Sequence, residues 1–186
     1  PLTALPTGAP SRYNDRLSNL GEILMAVFTP LSDAQVAAFL EKFDVGSLVS
    51  LQGVAGGTEN STFFVTTERR EMVLTLFEQG EHEELPFFVE LLDYLDEHGL
   101  PVPGTIHDRE GVALHSLAGK PALLFPRLPG KHPTAPNLAQ CQALGSALGR
   151  MHKVSQHFPG HRPNPRNLHW LRAVHHKVLT YISPDD

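Results

Sequence analysis

The chain has 186 residues, enough for one full domain or two small lobes around a sizeable core. Its 41% hydrophobic and 19% charged residues suit a soluble globular protein, and a net charge of −5 argues against a general nucleic-acid binder. One cysteine, Cys141, leaves no intrachain disulfide, no apolar run reaches the ~18 residues needed to cross a bilayer, and no basic-then-apolar signal opens the chain, so a soluble cytoplasmic protein is expected.

Residues 1–24 carry three prolines and two glycines with little periodicity, and read as an N-terminal extension or leader outside the fold; Met25 looks like a natural start. Ser32 followed by Gln35 fits a capping box, and Val36, Phe39, Leu40 and Phe43 give a helical apolar stripe that should end near residues 44–46. Three strands are expected at 48–51, 61–66 and 72–77, rich in β-branched and aromatic residues. The first turn between them is glycine-rich (Ala55-Gly56-Gly57-Thr58) and the second is charged (Glu68-Arg69-Arg70-Glu71). A glycine pair between strands is most often a plain turn, because glycine accepts positive φ freely; a phosphate-covering flap is the functional alternative.

A helix should follow over 83–98, with Phe87, Leu91, Leu92 and Leu95 on one side. Gly99 sits where a C-cap glycine belongs, and Pro101 and Pro103 stop continuation. Strands are expected at 105–107 and 112–116 around an Asp108-Arg109-Glu110-Gly111 turn, then a Gly119-Lys120 turn and an apolar strand at 121–128. Residues 129–133 read as a linker, and helices at 137–153 and 167–182 complete the chain. The order implies an α+β two-lobe plan: an antiparallel sheet with one helix inserted after its third strand, joined to a helical part.

That plan and several local sequences resemble the kinase-like phosphotransferase fold. GTENSTFFV, MVLTLFE, ELPFFVELLDYLDEHGLPVP and LLFPRLPGK together resemble the homoserine kinases of this type, and Leu144-Gly145-x-x-Leu148-Gly149-x-Met151-His152 resembles the first large-lobe helix of the aminoglycoside and choline phosphotransferase group. The resemblance spans residues 25–186. It implies a nucleotide-binding small lobe over 25–128, including a hinge strand, and the start of a helical large lobe over 129–186. It also implies ATP with Mg2+ and transfer of a phosphoryl group to the hydroxyl of L-homoserine. Choline, aminoglycoside or sugar kinases of the group are the sister reading, and a non-catalytic, pseudokinase-like nucleotide module is the alternative from another class.

By the same resemblance, backbone N–H groups of Gly56, Gly57 and Thr58 would cradle phosphates, with Asn60 shaping the turn or reaching substrate. The Pro126 carbonyl and Leu128 N–H would hold the base; proline keeps its carbonyl, so Pro126 is compatible. Glu90 falls where the inserted helix has its ion-pair glutamate, but Thr75 occupies the place of the third-strand lysine and brings no positive charge. The aspartate loop, His-x-Asp-x-x-x-x-Asn, is absent: beyond Asp108 the only aspartates are Asp185 and Asp186. No catalytic residue is therefore expected in this chain, which resembles an N-terminal portion.

The remaining features point to structure. His152, His157, His161, His169, His175 and His176 lack carboxylate or thiolate company at ligand spacing, so no metal site is expected. Asn60-Ser61-Thr62 matches a glycosylation acceptor that a cytosolic protein would never present to the enzyme. Cys141 is expected in a core, Trp170, Leu171, Val174 and Val178 as a helix core stripe, and His98 as a favourable charge at a helix end. The apolar faces Leu144, Leu148, Met151 and Leu171, Val174, Val178 would be exposed or buried by self-association.

Overall fold

The computed structural model describes residues 28–54, 59–79, 82–131 and 133–179. Gly56, Gly57 and Thr58 of the expected flap lie outside them, as do residues 1–24 and 180–182. Helix α1 (Asp33–Leu40) starts on the expected capping box: Gln35 N–H donates to Ser32 Oγ, and Ser32 N–H donates to Gln35 Oε1 at 2.9 Å. Its apolar residues Val36, Phe39 and Leu40 are buried, followed by Phe43 and Val45.

Strands β1 (Leu48–Gly53), β2 (Asn60–Thr67), β3 (Glu71–Phe77), β4 (His115–Leu117) and β5 (Lys120–Pro126) form one antiparallel sheet in the order β1-β2-β3-β5-β4. Phe63 pairs with Leu74, and Leu74 with Leu124, so β3 lies between β2 and β5. Period-two alternation divides the sheet into two faces. Phe63, Val65, Met72, Leu74, Leu76, Ala122 and Leu124 point to one side and are buried with α1 in a single core cluster. The other side carries Thr62, Phe64, Val73, Thr75, Phe77 and Phe125, all half-buried.

Helix α2 (Leu85–Glu97) follows a 3-10 turn at His82–Glu84 and ends in a Schellman motif. Gly99 takes φ +70°, its N–H donates to Asp96 C=O, and Leu100 N–H donates to Leu95 C=O at 3.1 Å. Leu95 and Leu100 are both buried, the apolar contact that accompanies this cap. His98 stands at the helix end as expected, with Nδ1 lying 2.7 Å from Tyr94 C=O.

Residues 105–107 are not a strand. Asp93 of α2 accepts the Thr105 N–H and hydroxyl and pairs with His107, while only Ile106 N–H reaches β5, donating to Leu124 C=O at 2.8 Å. A side chain thus takes the bonds a partner strand would need. The 108–111 turn is present, held by Asp108 Oδ1 accepting Glu110 and Val112 N–H, but pairing begins only at His115. β4 and β5 are joined by Ala118 (φ 51°) and Gly119 (φ 76°), the double positive φ of a type I′ turn.

Helices α3 (Leu138–Ser155) and α4 (Leu168–Val178) are capped by Asn137 and Asn167. Neither carries a core stripe among the described residues: Leu144, Leu148, Trp170, Leu171 and Val178 are exposed, Met151 and Val174 half-buried, and Cys141 is exposed rather than in a core. Among the described residues no helix is long and apolar enough to cross a membrane.

One polar cluster sits against the core. Ser61, fully buried, donates to Glu78 at 2.6 Å and accepts the Phe28 and Thr29 N–H groups, while Lys120 Nζ lies 3.2 Å from Glu78. Burial pushes the Glu78 carboxyl up, but hydrogen bonds from Ser61, Thr29 and Lys120 with the Lys120 charge outweigh it, holding Glu78 below its ordinary value of 4.5. A depressed folded-state pKa stabilises above the unfolded value, and this contribution is lost as pH falls through the folded value. Glu78→Gln should therefore lower Tm at pH 7, and the gap to wild type should close as pH drops below 4.5 in a thermal-unfolding series.

Candidate functional site

Three of the expected site residues lie on, or just past, the neighbouring strands β3 and β5. Thr75 projects from the half-buried face of β3, opposite Thr62 on β2 and Leu123 on β5. Its hydroxyl makes no hydrogen bond among the described residues. Val73, two residues earlier, pairs with Phe64 and Phe125, so an apolar floor of Phe64, Val73 and Phe125 adjoins the Thr62 and Thr75 hydroxyls. This is the makeup of a ligand surface: apolar walls with a few polar groups.

At the expected hinge, ladder geometry fixes the backbone of β5. Arg127 N–H donates to Glu71 C=O at 3.2 Å, towards β3, whereas Leu124 C=O accepts from Ile106 on the opposite edge. Backbone groups of alternate residues along a strand point to the same edge, so the carbonyl of Pro126, the last residue of β5, points to the side of Ile106. β4 occupies that edge only opposite Lys120–Ala122, and Leu128 is 49% exposed. The Pro126 acceptor therefore stands at the end of the apolar floor, with Leu128 two residues further along. Pro126 pairs with Met72, three ladder steps from Thr75, about 10 Å along the strand.

Arg127 closes the hinge end of this face. Its guanidinium carbon lies 4.1 Å from the Phe64 ring centroid, and Nη1 is 3.5 Å from Glu71. Sequence reasoning did not single out Phe64, Phe125 or Arg127 on this face; for Phe64 the alternation of NSTFFVTT, carried through the pairing, was the available signal. Asn60 opens β2 opposite Phe77, half-buried, at the end of the sheet away from the hinge.

Glu90 is not brought to this surface by any bond. It is exposed on α2, with no hydrogen bond or ion pair among the described residues. The charged links of α2 are made instead by Asp93, to Thr105 and His107, and by Glu84 in the turn before the helix, to Arg162. Among the described residues no group of three or more His, Cys, Asp or Glu stands together.

Against known proteins, residues 50–182 match the family described as the phosphotransferase enzyme family. The chain is 50% identical over 147 residues to a homoserine kinase of Pseudomonas aeruginosa, covering 79% of this chain and 46% of that protein. It is 44% identical over 162 residues to a homoserine kinase of Ralstonia nicotianae, covering 85% and 48%. It thus spans about half the length of the curated relatives it matches. Among solved structures, a spectinomycin phosphotransferase in complex with ADP and spectinomycin is similar at TM-score 0.62 and 19% identity, over 85% of this chain and 49% of that one. An amicoumacin kinase in complex with AMP-PNP and Ca2+ is similar at TM-score 0.56 and 20% identity, over 93% and 51%. These two share the kinase-like two-lobe fold expected from the element order. The family match covers well over half of the residues, and the chain belongs to the phosphotransferase enzyme family.

Proposed function

We propose that this chain forms the nucleotide-binding lobe and the first large-lobe helices of an ATP-dependent kinase that phosphorylates the hydroxyl of L-homoserine, giving O-phosphohomoserine for threonine biosynthesis in the cytoplasm. The observation that carries the nucleotide part is the half-buried face of β2, β3 and β5, ending in the outward Pro126 carbonyl. The 50% identity to a homoserine kinase supports the acceptor. On this reading the small lobe is 25–128 and the helical lobe starts at 129.

Phosphoryl transfer asks the protein mainly for positioning and charge neutralisation. Here Phe64, Val73 and Phe125 would flank the base, Pro126 and Leu128 would fix its edge, and Thr62 and Thr75 would lie towards the phosphates. Gly56, Gly57 and Thr58 would cover the phosphates from the flap, with Asn60 at its base. A divalent ion such as Mg2+ bridges the phosphates in this chemistry. The described residues offer hydroxyls on this face and no carboxylate cluster, so its ligands are not assigned to them. A nucleotide-binding module without transfer is the second reading, favoured by one observation: Thr75 stands where a lysine would clamp the phosphates.

A coupled ADP-release assay on the full-length protein with homoserine, choline and kanamycin tests the proposal. Turnover with homoserine alone is expected, and no turnover with homoserine removes it. For the chain as given, the exposed Leu144 and Leu171 faces should drive self-association. Sedimentation should show a concentration-dependent dimer or larger species; a clean monomer at all concentrations would contradict this.

A further inference from the structure

The family-type clamp between a third-strand lysine and a glutamate of the inserted helix cannot form here, because Thr75 carries no charge and Glu90 is exposed and unpaired among the described residues. Yet α2 is not left unanchored. In the turn just before it, the partly buried Glu84 pairs with the partly buried Arg162, which comes from the loop between α3 and α4. The Arg162 guanidinium carbon also lies 5.1 Å from the Phe88 ring centroid.

The same loop and the end of α3 follow α2 along its length. Phe158 packs edge-on to Phe87 at 5.7 Å and against Tyr94 at 5.3 Å. Tyr94 OH donates to Val154 C=O at 3.4 Å, and Arg150 Nη2 donates to Gly99 C=O at 3.1 Å, just past the C-terminus of α2. Glu84, Phe87, Phe88 and Tyr94 recur at helical spacing, so these contacts form one stripe. A Cβ at Gly160 would meet the Phe158 ring, which packs on Phe87 and Tyr94, so a larger residue there would have to shift that ring.

We propose that Arg162 is a positioning residue for the phosphoryl transfer, and that its pair with Glu84 takes over the anchoring role of the missing lysine–glutamate clamp. The inserted helix is then seated by the helical lobe through Arg162, Phe158 and Arg150. A clamp that runs through a sheet lysine ties the helix to the bound phosphates; this one ties it to the second lobe whether or not nucleotide is bound.

The inference rests on the kinase reading for its effect on turnover, but not for the anchoring itself. The test is hydrogen exchange with steady-state kinetics on the full-length protein, comparing wild type, Arg162→Ala, Glu84→Ala and the double variant. Arg162→Ala should speed exchange of the α2 amides about tenfold while the β2 and β3 amides stay within about twofold. kcat/KM for ATP should fall about tenfold with KM for homoserine nearly unchanged. Glu84→Ala should do the same, and the double variant should be no worse than either single one, the signature of one shared interaction. Saturating AMP-PNP should leave wild-type α2 exchange nearly unchanged. Unaltered α2 exchange in both single variants, loosening spread equally over the sheet, additive effects in the double variant, or strong protection of α2 by AMP-PNP would each overturn the proposal. A protein with no kinase activity on any acceptor would remove the kinase reading, while the exchange data would still decide the anchoring.

Discussion

Leu74→Ala should lower the unfolding free energy by about 3–5 kcal/mol, among the largest losses any single truncation in this sheet would give. Leu74 is 0% exposed and sits in the middle strand, between Phe63 on one side and Leu124 on the other. Its side chain belongs to the cluster that includes Val36, Phe39 and Phe43 of the first helical segment. Truncation removes burial and leaves a void that β-strands hydrogen-bonded on both edges cannot collapse to fill. Urea unfolding should show a lower midpoint with the slope unchanged. Val73→Ala, the adjacent residue on the other face, is the control and should cost about 1 kcal/mol or less, because it is only half-buried. Equal losses at the two positions would mean that the faces are not divided as described.

Val73→Trp should weaken nucleotide binding about a hundredfold, equivalent to about 2.7 kcal/mol, with little change in Tm. Val73 is flanked by Phe64 and Phe125 on the half-buried face, where added bulk meets a ligand surface rather than the α1 core. An indole there fills the space above the apolar floor that the base would occupy. Calorimetric titration with ADP checks it. Binding within threefold of wild type would show that the nucleotide does not use this floor.

The parts of the fold readable in the sequence were those in which a local bond has a residue signature. Ser32 and Gln35 cap α1 reciprocally, and Gly99 closes α2 with Leu95 against Leu100, as their spacing requires. What failed were elements whose hydrogen bonds go to distant side chains. The segment at Thr105 looks like a strand, but Asp93 takes its donors, and no period in the sequence reports a carboxylate twelve residues upstream. The apolar residues of α3 and α4 have helical spacing, yet spacing does not say what a stripe packs on, so Cys141 and Trp170, expected inside, lie outside.

The positions proposed for the site can be placed in the fold to differing degrees. Strand register carries Thr75 and Pro126 into space: Thr75 pairs with Leu123 on the half-buried face, while Pro126 pairs with Met72 at the end of β5. Glu90 follows from counting along a helix, which fixes a turn but not a partner. Arg162 lies in a loop rich in proline, where no periodicity singles out one arginine; only its pairing with Glu84 does. Arg127 was hidden because its role depends on Phe64, two strands away in the sheet order.

The most direct test of the nucleotide site is an ADP titration of the 15N-labelled protein followed by NMR. The Leu128 amide, two residues past β5 at the proposed hinge, should show a large shift, together with the amides of Val73 and Thr75 on the floor. The Val36 and Phe39 amides, behind the core, should not move. Saturable ADP binding that leaves Leu128 and Thr75 unshifted would contradict a nucleotide held on this face by the hinge.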